Sequence, residues 1–373
     1  MQPPEFPATR YQGSKRKLAA AIARELGARV DFESALDAFG GTGAVAYRLK
    51  ALRKRVTYND LHRFNQLVGR ALVENDGATL PLEEAERLTV RRPRRRYDDV
   101  VARCFEGVFF TAEENVWIDV TCQNIHRIAD RRRQAVAFWA LFQSCLVKRP
   151  FNLFHRANLA LRRREVKRSF GNKATWDRPF RDHFLRFVAT ANRAVFANGR
   201  VNRATRHDAL RYPRDDFDLV YIDPPYMNRR GQSVDYLDFY HFLEGLAVYP
   251  RWEPRIDGRR KHRPLVHRPS PWCDRGRIHA AFAALFARFE RCHLAVSYRG
   301  DGIPALDELC RLLAGINRRP EVVPLGPYRY VLSTGSASGE YLLVAPRRAS
   351  SRPSTSARGV IGCAPVAPSR KGR

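Results

Sequence analysis

The chain has 373 residues, of which 44% are hydrophobic and 11% aromatic; a composition this rich in core-forming side chains excludes a wholly disordered protein. Its longest apolar runs, 135–142 and 280–287, are far shorter than the about 20 residues of a membrane helix, so we expect no membrane partner. The seven cysteines form no Cys-x-x-Cys pair, so we expect no disulfide framework and no metal. The net charge of +29 favours a polyanionic partner, of which nucleic acid is the usual kind, and a merely soluble basic protein is the alternative.

Helix and strand patterns alternate over the first 73 residues. Helical spacing of apolar residues predicts helices at 15–28, 44–54 and 61–73, and short apolar runs predict strands at 35–39 and 56–59. Strands that alternate with helices in this way indicate a parallel sheet with crossover helices.

Beyond residue 73 the pattern changes twice. Residues 74–199 are mostly helical in pattern and contain several arginine clusters. Further strands are predicted at 201–205, 219–222, 293–297 and 341–344, and further helices at 237–248 and 277–290. We therefore predict an α/β fold, a Rossmann-like sheet formed by residues 9–73 and 200–345 and split by the insertion at 74–199. Residues 346–373 hold seven basic residues and no acid, which predicts a disordered basic tail.

A glycine-rich loop separates the first predicted strand from the next helix. Residues 39–43, Phe-Gly-Gly-Thr-Gly, allow a tight turn and leave bare backbone for a ligand at a helix N-terminus. Asp60 follows the second strand, nineteen residues after Gly41, at the usual spacing of an acid that binds ribose hydroxyls. This pair suits a nicotinamide dehydrogenase as well as a methyltransferase, and an ordinary turn followed by a capping Asp remains the alternative.

A second loop, Asp223-Pro224-Pro225-Tyr226, directly follows an apolar strand. Loops at the carboxyl edge of a parallel sheet are where such folds hold their chemistry. An Asp carboxylate beside a Pro carbonyl forms a pair of acceptors for an exocyclic amine, and Tyr226 offers a flat face for a base. The non-functional alternative is a strand-ending turn with a buried Tyr.

These motifs in this order resemble the DNA adenine methylase family, the S-adenosylmethionine-dependent N6-adenine DNA methyltransferases. Further similar stretches are residues 11–15 (Tyr-Gln-Gly-Ser-Lys), 297–299 (Ser-Tyr-Arg) and 339–344 (Gly-Glu-Tyr-Leu-Leu-Val). The resemblance spans residues 9–345, and Ala38 departs from the Pro of many relatives. It implies a target-recognition region in the insertion and methyl transfer to an adenine that is flipped out of duplex DNA.

The resemblance also implies roles for single residues. Tyr11 and Lys15 would contact the methionine end of the cofactor, Asp60 the ribose and Asp208 the adenine end. The implied cofactor set is Tyr11, Lys15, Phe39, Gly41, Gly43, Asp60, Asp208 and Asp223, and the implied catalytic set is Asp223, Pro224, Pro225 and Tyr226.

Residues 146–181 combine eleven Lys and Arg with only two acids and with interleaved Phe and Trp. Such a segment is typical of a DNA surface, since cations neutralise phosphates, although a charged solvated surface around a small core is the alternative. The predicted DNA contacts are Lys148, Arg149, Arg156, Arg162, Arg163, Arg164, Lys167, Arg168 and Lys173.

Several alternatives stay open from the sequence alone. N4-cytosine methylation, RNA adenine methylation and a catalytically inactive DNA-binding relative fit much of the same pattern. We expect a cytoplasmic, bacterial or phage-encoded protein that associates with the nucleoid through DNA. We also expect it to act as a monomer on double-stranded DNA, with a cognate restriction endonuclease as a candidate partner.

Overall fold

The computed structural model describes residues 3–164, 173–213, 216–233, 235–328 and 338–347. Two predicted DNA contacts, Lys167 and Arg168, and residues 348–373 of the predicted tail lie outside the described residues. Within the described part, no helix has the length and apolar character that a membrane crossing requires.

Seven strands form one sheet in the order β3-β2-β1-β4-β6-β9-β8, and two short strands pair separately. The strands are β1 Ser34–Asp37, β2 Arg55–Asn59, β3 Arg203–Thr205, β4 Leu219–Ile222, β5 Met227–Asn228, β6 His293–Arg299, β7 Gly302–Ile303, β8 Glu321–Tyr328 and β9 Ser338–Ala345. Five neighbouring strands of the sheet, β3, β2, β1, β4 and β6, pair in parallel. The next strand, β9, is antiparallel to both β6 and β8. This mostly parallel sheet confirms the predicted Rossmann-like class.

The central strands β1 and β4 are buried because helices cover both faces of the sheet. All four residues of β1 and all four of β4 are buried. Since β1, β2, β3 and β4 run in parallel, their carboxyl ends meet at one edge, where ligands bind in open α/β sheets. The glycine loop, Asp60, Asp208 and Asp223 all follow strands at this edge.

The helices cover the sheet and build the insertion. They are α1 Ala19–Arg29, α2 Ala44–Ala51, α3 Arg63–Gly69, α4 Leu82–Leu88, α5 Val100–Cys104, α6 Ala112–His126, α7 Arg131–Val147, α8 Leu159–Arg163, α9 Lys173–Asp177, α10 Phe180–Ala194, α11 Tyr236–Ala247, α12 Ile278–Arg288 and α13 Leu306–Gly315. A wide turn at Arg70–Glu74 extends α3, and short 3-10 turns occur at Lys15–Lys17, Pro150–Asn152, Ala209–Arg211, Tyr249–Arg251, Glu253–Arg255 and Pro271–Cys273.

The insertion is helical in its described residues and packs around α7. Every residue from 135 to 147 is buried, including Trp139, as expected of a helix surrounded by others. The same hydrophobic core includes Phe64 of α3 and Tyr240 and Phe242 of α11. The insertion therefore shares its core with α3, which follows β2, and with α11, which follows β5.

The carboxyl-terminal boundary of the fold lies slightly beyond the predicted one. The Arg318 guanidinium donates to the carbonyl of Pro346 at 2.6 Å, and the backbone N–H of Arg347 donates to His293 Nδ1 at 3.0 Å. These two residues were expected in the tail but belong to the folded part, because they continue from β9 along the sheet.

Candidate active site

The glycine loop between β1 and α2 needs its glycines for two reasons. Gly41 and Gly43 have φ values of 51° and 78°, in the left-handed region that side chains disfavour. At Gly40 a Cβ would lie 2.1 Å from the Tyr58 ring. The Tyr58 hydroxyl donates to the carbonyl of Gly41 at 2.7 Å, so the loop is held against β2.

Asp60 fixes this loop from the end of β2. Its carboxylate accepts hydrogen bonds from the backbone N–H of Gly41 at 3.1 Å, the Asn65 amide at 3.0 Å and the backbone N–H of His62 at 2.9 Å. Burial raises the pKa of this carboxyl. The carboxylate thus shapes the loop and also faces the cavity beside it.

A cavity of about 330 Å³ lies at the carboxyl edge of the sheet. Most of the predicted site residues line it, namely Tyr11, Lys15, Phe39, Gly41, Asp60, Asp208, Asp223 and Pro225. Three predicted residues, Gly43, Pro224 and Tyr226, are not part of its lining. Gly43 directly precedes α2, Pro224 is buried, and the Tyr226 hydroxyl contacts Asp223.

Aromatic rings form two walls of the cavity. Tyr11 stacks on Tyr240 with 4.4 Å between ring centroids and also faces Tyr236 at 5.5 Å. Across the loop, Phe39 meets Trp272 edge to face at 5.1 Å. Tyr236 and Trp272 lie outside the motifs, so their place in the lining was not predictable from the sequence.

Asp37, the last residue of β1, is a buried acid that the sequence reasoning missed. It is 2% exposed, it lines the cavity, and its Oδ1 has no hydrogen-bond partner among the described residues. Burial, reinforced by the charges of Asp223 and Asp60, raises its pKa to about 8. A buried carboxylate oxygen without a partner is costly, so this position is suited to a cationic ligand. Its place at the strand end was the available signal.

Lys15 connects the amino-terminal segment to the Asp-Pro-Pro-Tyr loop. Its side chain is 4% exposed, and its Nζ lies 3.0 Å from Asp223 Oδ1 and 3.6 Å from Glu340 Oε1. It also donates to the Tyr226 hydroxyl at 2.8 Å. Glu340 lies on β9 and is itself buried. The ammonium is therefore shared by two carboxylates rather than committed to Asp223 alone.

The Asp-Pro-Pro-Tyr loop is held on its far side by the small sheet of β5 and β7. Met227 pairs with Ile303, and the Tyr226 hydroxyl contacts Asp223 Oδ1 and donates to the carbonyl of Ser297 at 3.1 Å. The Tyr226 ring meets Tyr298 edge to face at 5.4 Å. These contacts orient the Asp223 carboxylate.

Asp208 lies where β3 ends. It caps the turn after it, since Oδ1 accepts from the backbone N–H of Leu210 at 3.0 Å. The Asn59 amide donates to the carbonyls of Ala38 and His207 at 3.1 and 3.0 Å and so joins the ends of β1, β2 and β3. Asp208 therefore has both a structural role and a place in the cavity wall.

Three of the predicted DNA-contacting cations are buried, and this part of the prediction is wrong. Lys148 and Arg162 pair with Glu114 at 2.6 and 2.7 Å. Arg149 is 1% exposed and donates to the backbone carbonyls of Leu153 and Arg156, among others. These side chains satisfy carbonyls and an acid inside the insertion, so they do not reach phosphates.

Four other predicted cations are exposed, namely Arg156, Arg163, Arg164 and Lys173. Lys173 pairs with Asp177 at 3.0 Å within α9, an exposed pair of little strength. The alternation of buried and exposed cations within one short segment explains why charge counting alone could not separate them.

Comparison with known proteins agrees with this geometry. The family model of the D12 class N6 adenine-specific DNA methyltransferases matches residues 11–265. The chain is 27% identical over 250 residues to the type II methyltransferase M2.HphI of Haemophilus parahaemolyticus, covering 65% of this chain and 72% of that protein. It is 24% identical over 313 residues to the type II methyltransferase M.FokI of Planomicrobium okeanokoites and 23% identical over 320 residues to the modification methylase StsI of Streptococcus sanguinis.

Each of the last two alignments covers 82% of this chain but 46% of the relative, so the chain spans about half the length of those proteins. The family model covers more than half of the chain and includes both the glycine loop and the Asp-Pro-Pro-Tyr loop. The chain belongs to the D12 class N6 adenine-specific DNA methyltransferases.

Proposed function

We propose that the chain transfers a methyl group from S-adenosylmethionine to N6 of an adenine that is flipped out of duplex DNA. The observation that carries this proposal is the position of Asp223, which lies at the wall of the cavity and is oriented by Lys15 and Tyr226. Family membership supports the reaction class, and the geometry supports the roles proposed for single residues.

The charges and the bare backbone of the cavity wall support S-adenosylmethionine as the cofactor. S-adenosylmethionine supplies an activated methyl group on a sulfonium, and it carries an ammonium as a second positive charge. Asp37 Oδ1 is a buried acceptor that lacks a partner among the described residues, which suits such a cation. The bare backbone of the loop at Gly41 and the acids Asp60 and Asp208 would hold the nucleoside part, as the spacing predicts.

Asp223 and the Pro224 carbonyl would accept the two hydrogens of the adenine amine. This contact turns the amine lone pair out of the ring and toward the methyl group. Lys15 and Tyr226 hold the carboxylate in one orientation, so no reorganisation is needed during the reaction. Most of the acceleration would come from this alignment and from fixed charges.

The target adenine must leave the helix before it can reach Asp223, because a stacked base hides its amine from the cavity. Unstacking costs a few kcal/mol. The half-buried ring of Tyr226 would recover part of that by stacking on the flipped base, which is worth about 1–3 kcal/mol.

The insertion is our candidate for target recognition, with Arg156, Arg163, Arg164 and Lys173 as its phosphate contacts. The relatives are named type II methyltransferases and a modification methylase, which supports a restriction endonuclease as a functional partner. We propose that the chain acts as a monomer, which sedimentation in the presence of a short duplex would check.

The test is direct. The purified protein is incubated with S-adenosylmethionine and duplex DNA of mixed sequence, and the DNA is digested to nucleosides for mass spectrometry. We expect N6-methyladenine and its loss when the cofactor is omitted. N4-methylcytosine, or methylation of RNA in preference to DNA, would contradict the proposal.

A further inference from the structure

A short antiparallel hairpin, residues 255–268, follows α11 and is called the basic hairpin below. Ile256 pairs with Leu265, and the backbone N–H of Asp257 donates to the carbonyl of Pro264 at 2.8 Å. Leu265 is 2% exposed within the core that also contains α7 and α11. The base of the hairpin is therefore fixed, while residues 258–261 at its turn are exposed.

The basic hairpin contains six Lys and Arg residues and one acid, Asp257. That acid is shared, since its carboxylate lies 3.1 Å from Arg259 and 3.8 Å from Arg260. The two arginine side chains are 90% and 65% exposed, and Lys261 is exposed with no ion pair to any described residue. Like charges this close repel each other, and among the described residues Asp257 is the one acid in an ion pair with them.

The position of the basic hairpin connects it with the cavity. Arg255 at its start and His267 and Arg268 at its end all line the cavity that holds Asp223. The hairpin thus starts and ends at the wall of the cavity, whereas Arg259, Arg260 and Lys261 at its turn lie outside the lining. A DNA strand whose base enters this cavity would pass these cations with its phosphates.

We propose that the basic hairpin is a second DNA-backbone contact, separate from the insertion, in which Arg260 and Lys261 neutralise phosphates of the DNA that carries the flipped adenine. This inference rests on the proposed function, because it assumes that DNA is the substrate. The contact is independent of sequence, since ammonium and guanidinium groups meet phosphate oxygens and no base edges. It holds the strand in place while the adenine is out of the stack.

The test compares two variants of equal charge. The first is Arg260→Gln with Lys261→Gln, and the matched control is Arg291→Gln with Arg319→Gln. The control residues are exposed and precede β6 and β8, at the amino edge of the sheet and away from the cavity. Binding to a non-cognate duplex is measured by fluorescence anisotropy over a range of salt concentrations.

We expect the slope of log affinity against log salt to fall by about 1.8 in the hairpin variant, since each phosphate contact contributes about 0.9. At about 0.1 M salt this corresponds to a loss of affinity of up to about 60-fold. The control should keep both the slope and the turnover of the wild-type protein.

Two failures are distinguishable. If the wild-type protein neither binds duplex DNA nor methylates it, the proposed function is wrong. If it does both and the hairpin variant keeps the wild-type slope, or changes no more than the control, the inference about the basic hairpin is overturned and the proposed function stands.

Discussion

Replacing Asp37 by Asn should reduce the pH dependence of cofactor binding below pH 8. The pKa of Asp37 is raised to about 8 by burial and by two neighbouring acids. At pH 7 most molecules then carry a neutral Asp37, and ionising it costs a cationic ligand on the order of 1 kcal/mol. The affinity of the wild-type protein for S-adenosylmethionine should therefore rise with pH below 8 more steeply than that of Asp37→Asn, and both should fall above 8 as the ammonium of the ligand loses its proton.

The assay is titration calorimetry between pH 6.5 and 9 in two buffers that differ in ionisation enthalpy. Below pH 8 the wild-type protein should release a proton on binding, so the observed enthalpy should depend on the buffer. Asp37→Asn should bind about 1.5–3 kcal/mol more weakly at pH 8.5, without that proton. An identical pH dependence in both proteins would refute the role of Asp37.

The same substitution has a consequence for stability, with a definite sign. A carboxyl whose pKa is raised in the folded state favours folding most at low pH, and this contribution is lost as pH rises from about 4 to about 8. The ligand-free Asp37→Asn protein should therefore lose less stability than wild type over that range. Thermal unfolding at pH 5 and pH 8.5 measures this difference directly.

Five further substitutions, at four residues, separate the roles of binding, folding and positioning. Asp60→Ala should weaken S-adenosylmethionine binding by about 1.5–3 kcal/mol, and unchanged affinity by calorimetry would remove it from the cofactor site. Arg162→Gln should lower the free energy of unfolding by about 1–3 kcal/mol, because it removes charged hydrogen bonds to Glu114 while Lys148 still pairs with that acid. Arg163→Gln should leave denaturant melting unchanged and flatten the salt dependence of DNA binding. Glu340→Gln should draw Lys15 toward the carboxylate of Asp223 and lower kcat about 10- to 100-fold, with unchanged cofactor affinity. Glu340→Asp should restore part of the rate. Equal rates in wild type and both variants would leave Glu340 without a positioning role.

Much of the fold was predictable because its parallel strands are short, apolar and buried. The strand predicted at 219–222 matches β4, and those predicted at 35–39 and 56–59 match β1 and β2 to within two residues. The strand β8 at Glu321–Tyr328 was missed, since it contains two prolines and a glycine and lies at the edge of the sheet. Among the described strands it pairs with β9 alone, and Val323 packs into the core under the sheet. These contacts are with distant parts of the chain, so the local sequence does not reveal them.

The site residues were predictable where a motif lies at the end of a strand. They were not predictable where a residue distant in the sequence reaches the site through the tertiary fold. Asp60 and Asp223 follow strands and line the cavity together. Glu340 comes from the other end of the chain, and only the antiparallel pairing of β9 with β6 brings it to Lys15. The buried Arg162 shows the reverse error, because a cation in a basic segment gives no sign that Glu114 will enclose it.

The most direct measurement of the central claim is single-turnover methyl transfer by Asp223→Ala beside wild type. Both proteins are loaded with methyl-labelled S-adenosylmethionine at saturation and mixed with excess duplex DNA, and DNA binding is measured in parallel. We predict that wild type places the label on N6 of adenine and that Asp223→Ala binds DNA but transfers no methyl group. Wild-type transfer by the variant, or label on a cytosine, would contradict the account.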